Sequence, residues 1–238
     1  MLFDIGNGQW FENIERTTEA AAKSESVELT CVIPDKEVRR HVARTVPSSL
    51  HGNIEKPEDD TTHGRGPVWG TAIHACFEHG VEWLDEANEV SDEALQKIVT
   101  EAISGETFSF TPKEVVAQFR KSCKMPEIVK ALSRSRYSSS LNAKVERERK
   151  FIVWVEHKIM HGSVDRLVVQ RDASGSVMEV EVFDYKSDVA DDVNRLVDVY
   201  RPQLEAYRKG MAALFNIGIE RVKATFVFVS LGKIETLF

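Results

Sequence analysis

HGSVDRLVVQRDASGSVMEVEVFDYK, residues 161–186, is the stretch whose reading decides the fold. It reads as a β-hairpin. Val180, Val182, Asp184 and Lys186 share one parity, and a period of two places both charged side chains on the face whose earlier members are apolar. Ser163, Asp165, Leu167 and Val169 repeat the pattern on the first strand, with one carboxylate among apolar neighbours. Asp172, Ser174 and Gly175 supply the turn. In such a hairpin Asp165 and Asp184 converge. At about 4 Å and an effective dielectric near 20, two carboxylates repel by roughly 4 kcal/mol. A bound divalent cation or an elevated pKa must relieve that repulsion, and Lys186 beside the pair favours the cation.

Outward from the hairpin, RKFIVWVEH at 149–157 is as rich in Val, Ile, Phe and Trp as its two neighbours, and short turns separate all three. Together they predict an antiparallel meander. An acidic loop follows over 188–197, then a helix over 199–215 opened by Tyr200 and Pro202, with Gln203, Leu204, Tyr207, Met211 and Leu214 on one stripe. The last strand expected, VKATFVFVS, is apolar enough to be buried on both faces. Meander, helix and strand in succession give an α/β sheet covered by helices.

Ahead of the sheet the pattern is helical. Thr71 is a plausible N-cap, and Ile73, Cys76, Phe77, Gly80, Leu84 and Ala87 form the apolar stripe of an amphipathic helix, with His74 at its edge. Two more helices are expected over 92–103 and 112–123, capped by Ser91 and Thr111, and another over 126–134. These make an N-terminal helical subdomain. Between residues 113 and 136 there are seven Lys or Arg against two Glu, the run best suited to face phosphates or else a solvated helical face. Further upstream, 34–44 reads as a short helix and 47–67 as a linker rich in Pro, Gly, Ser, Asn and Asp. The expected boundary separates an appendage and linker, 1–66, from a domain over 67–238.

A chain of 238 residues with 42% hydrophobic and 29% charged content can bury a full core. No run of 18 apolar residues occurs, and the N-terminus lacks a basic and apolar leader, so the expectation is a cytoplasmic protein with no membrane partner. Cys31, Cys76 and Cys123, about 45 residues apart, fit reduced thiols rather than a disulfide framework or a metal-cysteine motif. His74 and Cys76 stand about 200° apart on a helix and cannot share a zinc ion. A formal charge of -7 argues against tight nucleic-acid binding by the whole surface, though a local basic patch can act within a screening length of about 8 Å. No GxxxxGK[ST] phosphate loop is present, so ATP is not expected to be used by this chain.

Two carboxylates beside a lysine suit a hard divalent ion and phosphodiester hydrolysis: Mg²⁺ takes one or two protein carboxylates plus water and phosphate oxygens, and an ammonium can hold the attacking water or neutralise charge on phosphorus. On that pattern alone, an ion pair at a strand end is the competing account. Further matches accompany it in order. Gly70-Thr71-Ala72-Ile73-His74, Glu148-Arg149-Lys150-Phe151, Gly162-Ser163-Val164-Asp165-Arg166, Asp184-Tyr185-Lys186 and Gln203-Leu204-Glu205-Ala206-Tyr207 together resemble the PD-(D/E)XK nuclease superfamily, and within it the RecB/AddA-type exonuclease domains.

The resemblance spans about residues 66–230 and implies a restriction-endonuclease-like mixed β-sheet flanked by helices. It implies that His74, Asp165, Asp184 and the backbone carbonyl of Tyr185 ligate Mg²⁺ or Mn²⁺, that Lys186 is the catalytic lysine, and that Gln203 and Tyr207 support the site and contact DNA. Glu148 is a weaker match, since its partner could instead be Lys150 or Arg166. Gln203 and Tyr207, four residues apart on a helix, could equally be core packing. The iron–sulfur cysteines of AddB-like and Cas4-like relatives are missing. RecB/AddA members carry this module at the C-terminal end of a UvrD-like helicase, so the implied partners are DNA ends and a helicase motor, in DNA repair or recombination. A DNA-binding scaffold of the same fold without catalysis, and a structure- or site-specific endonuclease, remain the alternatives.

Overall fold

The computed structural model describes residues 43–50, 66–87, 90–187 and 193–238. Among these the strands are β1 (Arg44–Thr45), β2 (Asn142–Val155), β3 (Lys158–Arg171), β4 (Val177–Lys186), β5 (Val222–Phe228) and β6 (Lys233–Leu237). The helices are α1 (Gly66–Gly80), α2 (Asp92–Ala102), α3 (Pro112–Ser122), α4 (Pro126–Ala131) and α5 (Val193–Phe215). All strands join one mixed sheet. β2, β3 and β4 form the expected antiparallel meander, β4 runs parallel to β5, and β5 pairs antiparallel with β6.

The sheet separates two apolar layers. On one face Trp69, Ile73, Cys76 and Phe77 of α1 pack with Leu95 and Val99 of α2, Val115, Val116 and Phe119 of α3 and Ile128 of α4 against Val168, Phe183, Tyr185 and Val227. These helices are the helical region expected ahead of the sheet, and they lie on it as a layer. On the other face Leu196, Val199, Tyr200, Leu204, Tyr207 and Met211 of α5 cover Leu167, Val169, Val180, Val182, Phe226 and Phe228. β5 has a partner strand on each side and a helical layer on each face, which is why VKATFVF can be almost wholly apolar.

Caps set the helix ends as the sequence reads them at two places. Ser91 accepts from the Ala94 N–H, and Thr111 forms a reciprocal capping box with Glu114. At α1 the expectation fails. The helix begins five residues before Thr71, whose hydroxyl donates back to the Pro67 carbonyl instead of capping, and it ends at Gly80 rather than continuing towards Ala87. α5 likewise begins at Val193, so part of the segment expected as a loop is helical and Pro202 lies inside the helix. A proline there forfeits one helical hydrogen bond, but Leu196, Val199 and Tyr200 are buried on the sheet and hold the preceding turns in place.

β2 starts seven residues before the expected 149 because pairing with β3 continues through its charged half. β6, with only Ile234 and Leu237 apolar, carries no strand signal of its own. The helix expected over 34–44 lies outside the described residues except Arg44, which with Thr45 pairs in parallel with Ile159 and Met160 of β3. Pro47–Ser49 form one 3₁₀ turn with Pro47 buried, so the stretch expected as a linker starts packed against the domain; residues 51–65 are outside the description. Among the described residues no helix is long and apolar enough to cross a membrane. Cys76 is buried, and burial pushes its thiol up to about 12, so it packs as a protonated apolar side chain.

Candidate active site

The site forms where two strands part. The β3–β4 ladder ends at the pair Arg166 and Phe183, and the next inward N–H of β4, that of Tyr185, donates to Asp165 Oδ2 at 2.8 Å. A carboxylate thus accepts the bond that a strand carbonyl would otherwise take, which holds Asp165 at the fork. Asp184 and Lys186 lie just beyond the fork on the α5 face of β4, as their parity requires.

α1 brings His74 to the same point, and Arg166, next in sequence to Asp165, fixes α1. The buried guanidinium donates to the carbonyls of Glu82, at 2.6 Å, and Val81, at 3.5 Å, just past the helix C-terminus, and lies 4.9 Å from the centre of the Trp83 ring. A cation there also suits the negative end of the helix dipole. Anchored in this way, His74 donates from Nε2 to the Tyr185 carbonyl at 2.8 Å, while Nδ1 lies 3.5 Å from Asp165 Oδ2.

Glu148 completes the group. The β2–β3 register, with Arg147 opposite Arg166 and Arg149 opposite Val164, sets Glu148 across from Asp165. Like charges in that position destabilise a sheet, and Glu148 also has φ of 45°, a left-handed conformation unfavourable for a residue with a Cβ. Its hydrogen-bond partner is the Ser163 hydroxyl, at 3.0 Å, rather than Lys150 or Arg166. One potential ligand atom from each of His74, Glu148 and Asp165 lies within 4.8 Å of the others. This placement was only weakly legible in the sequence, because the signal is a cross-strand register and not a local motif.

Asp184 stands beside this cluster, tied to α5. Its Oδ1 accepts from Gln203 Nε2 at 2.9 Å, and Gln203 Oε1 accepts from Lys186 Nζ at 2.9 Å. Asp184 Oδ2 is 2.6 Å from Lys186 Nζ, an ion pair outside hydrogen-bonding angles, so this buried oxygen has no hydrogen-bond partner among the described residues. The ammonium also lies 4.4 Å from the Tyr200 ring centre and 5.4 Å from that of Phe226. One turn after Gln203, Tyr207 donates its hydroxyl to the Ser163 carbonyl at 2.9 Å. The two α5 residues therefore hold both arms of the fork, Gln203 on β4 and Tyr207 on β3.

Electrostatics follow from this crowding. Burial first, then the charge of Asp184, push the Asp165 carboxyl up to about 7, against the opposing influence of His74 and the Tyr185 N–H. Burial likewise pushes the phenols of Tyr185 and Tyr207 upward. A divalent cation fits the donor set: carboxylates from several strands, a backbone carbonyl and one imidazole match hard-ion chemistry, and Asp184 Oδ2, ion-paired with Lys186, accepts no hydrogen bond from the described residues.

An open groove of ≈ 740 Å³ leads to the cluster, lined by Gly70, Thr71, His74 and Glu78 of α1 and by Glu148 and Lys150 of β2. The basic run over 113–136 does not line it. Three of that run's arginines serve the fold: Arg120 pairs with Asp92, Arg134 bonds the carbonyls of Tyr137 and Leu141, and Arg136 pairs with the buried Glu181. A second concavity, over 134–139, is built around the latter two arginines and shares no residue with the groove.

A family model of the PD-(D/E)XK nuclease superfamily matches residues 48–236. The chain belongs to this superfamily. No curated protein gives a significant match. Asp165 and Asp184-Tyr185-Lys186, the residues whose sequence resembles the superfamily's motif, lie together at this strand fork.

Proposed function

We propose that this PD-(D/E)XK protein is a Mg²⁺- or Mn²⁺-dependent DNA exonuclease of RecB/AddA type, acting on DNA ends beside a helicase motor in repair or recombination. The observation that carries the reading is the convergence of His74, Glu148 and Asp165 on one point, with Asp184 and Lys186 adjacent at the strand fork. His74, Asp165, Asp184, the Tyr185 carbonyl and Glu148 would hold the cation. When bound, it supplies positive charge for the phosphodiester in its transition state and makes water more acidic.

The chain's own residues do the rest. Lys186 has three N–H donors; Gln203 accepts from one, which leaves others to hold the attacking water or neutralise charge on phosphorus. Gln203, bonded to both Asp184 and Lys186, keeps acid and ammonium in fixed relation. Tyr207 keeps β3, and with it Asp165, in register with them. A formal charge of -7 and the lack of a phosphate loop agree with a module whose DNA is delivered by a separate motor.

End-labelled linear and closed circular DNA, single- and double-stranded, incubated with Mg²⁺, Mn²⁺ or EDTA tests this reading. Metal-dependent loss of linear DNA, with closed circles left intact, is the expected result. Lys186→Ala and Asp184→Ala should each lower the rate by about 10²-fold or more. Equal cleavage by either variant would refute the assignment, and opening of closed circles would make the protein an endonuclease.

A further inference from the structure

On the outer side of the β2–β3 hairpin, Ile152 is 69% exposed and Trp154 56% exposed. Phe151, Val153 and Val155 turn towards the core beneath α5, so Lys150, Ile152 and Trp154 point to the opposite face. Across the ladder Lys150 faces Ser163, Ile152 faces His161 and Trp154 faces Ile159. The strip starts inside the groove, since Lys150 lines it together with Glu148 and His74. At about 3.4 Å per residue, Trp154 stands roughly 20 Å beyond Glu148 on the same strand.

We propose that this strip is a track for single-stranded nucleic acid running out from the candidate active site, with Trp154 as a base-stacking platform and Lys150 as a phosphate contact. The proposal rests on the nuclease reading above. Its argument is continuity and chemistry. A phosphodiester at the His74–Asp165 cluster must have neighbouring nucleotides, and this face carries, in line, a cation at the groove, an apolar β-branched side chain beside an imidazole, and an exposed indole. Aromatic faces bind unpaired bases whatever their sequence, while lysines follow the backbone. A stacked duplex offers no such free base faces. Two exposed apolar side chains also make a small surface against the 1,200–2,000 Å² or so of a stable protein interface. At about 3.4 Å per nucleotide in a helical strand, 20 Å corresponds to about six nucleotides, or fewer if the strand is extended.

The test is binding of fluorescein-labelled oligo(dT) of two, four and eight nucleotides to the full chain by anisotropy, in EDTA at low salt. For the wild type, affinity should rise with length up to about six nucleotides. Trp154→Ala should remove most of that rise, weakening the octamer by about 5- to 150-fold, the measured worth of one stacked base. Trp154→Phe should keep most of the affinity, and unchanged thermal unfolding of both variants would exclude misfolding. The track is refuted if Trp154→Ala binds the octamer like wild type, if wild-type affinity does not depend on length, or if duplex of the same length loses as much from the substitution. It is also refuted if sedimentation shows a wild-type dimer that Trp154→Ala dissociates, which would make the strip a contact between copies. Binding in EDTA is read without cleavage, so a missing nuclease activity and a missing track give different results.

Discussion

Replacing Asp165 by Asn should make the metal-free protein more stable at alkaline pH, although it removes a residue placed at the centre of the site. In the folded chain, burial and the neighbouring Asp184 raise this carboxyl to about 7. In the unfolded chain it titrates near 3.9. The sign follows from linkage: a group with a raised folded pKa binds its proton more tightly when folded, so its contribution is fully present below about pH 4 and is lost as pH climbs through about 7. About three decades of proton affinity, at 1.36 kcal/mol each, set an upper limit of roughly 4 kcal/mol. The side chain keeps 14% of its exposure, so screening reduces the expected loss to about 2–3 kcal/mol. For a chain of this size that is about 5–10 °C in melting temperature. Asparagine can still accept from the Tyr185 N–H through its carbonyl oxygen, so the fork is retained.

The assay is urea and thermal unfolding in EDTA at pH 5, 6, 7 and 8, wild type against Asp165→Asn, read as the difference so that other titrating groups cancel. The variant should exceed wild type by about 1 kcal/mol at pH 5, where about a third of the loss has already occurred, and by about 2–3 kcal/mol at pH 8. Adding millimolar Mg²⁺ or Mn²⁺ at pH 8 should then stabilise the wild type and leave the variant unmoved, since binding to the folded state alone adds stability by mass action. A pH slope identical in the two proteins, or a variant less stable at pH 8, would mean that Asp165 does not carry the buried charge assigned to it.

Further outcomes follow from contacts around the fork. Arg166→Ala removes the bonds to the Glu82 and Val81 carbonyls and the packing on Trp83; it should cost about 2–4 kcal/mol in urea unfolding, and a loss under 1 kcal/mol would show that α1 is held by other means. Gln203→Leu keeps the volume but strands Asp184 Oδ1 and one Lys186 N–H. It should destabilise by about 2–4 kcal/mol and reduce any cleavage more than tenfold; activity equal to wild type would remove Gln203 from the site. Gly80→Ala places a Cβ 2.8 Å from Phe119 Cζ and 3.1 Å from Leu95 Cδ2, where α1, α2 and α3 meet. The expected loss is about 1–3 kcal/mol, measured by the same unfolding, and a neutral result would show that the Phe119 ring yields freely.

Features of the fold and site that depend on short-range periodicity were legible from sequence. The parity of Asp184 and Lys186 with Val180 and Val182 placed both charges on the α5 face of β4, and the four-residue spacing of Gln203 and Tyr207 put them on one side of α5. What escaped depends on partners far along the chain. Lys233–Leu237 has only half-buried apolar residues and becomes a strand through its ladder with β5. Pro202 looked like a helix start, yet burial of the preceding turn outweighs the one lost bond. Glu148 is the sharpest case. Its own neighbours, Arg147, Arg149 and Lys150, make it look like one member of a surface charge run, and only the register with β3 sets it opposite Asp165. Two acids face to face, one in a left-handed backbone conformation, oppose folding on both counts. An arrangement unfavourable to the empty fold and suited to a bound cation agrees with the proposed cation site, which draws on β2 as well as on the Asp-Tyr-Lys strand.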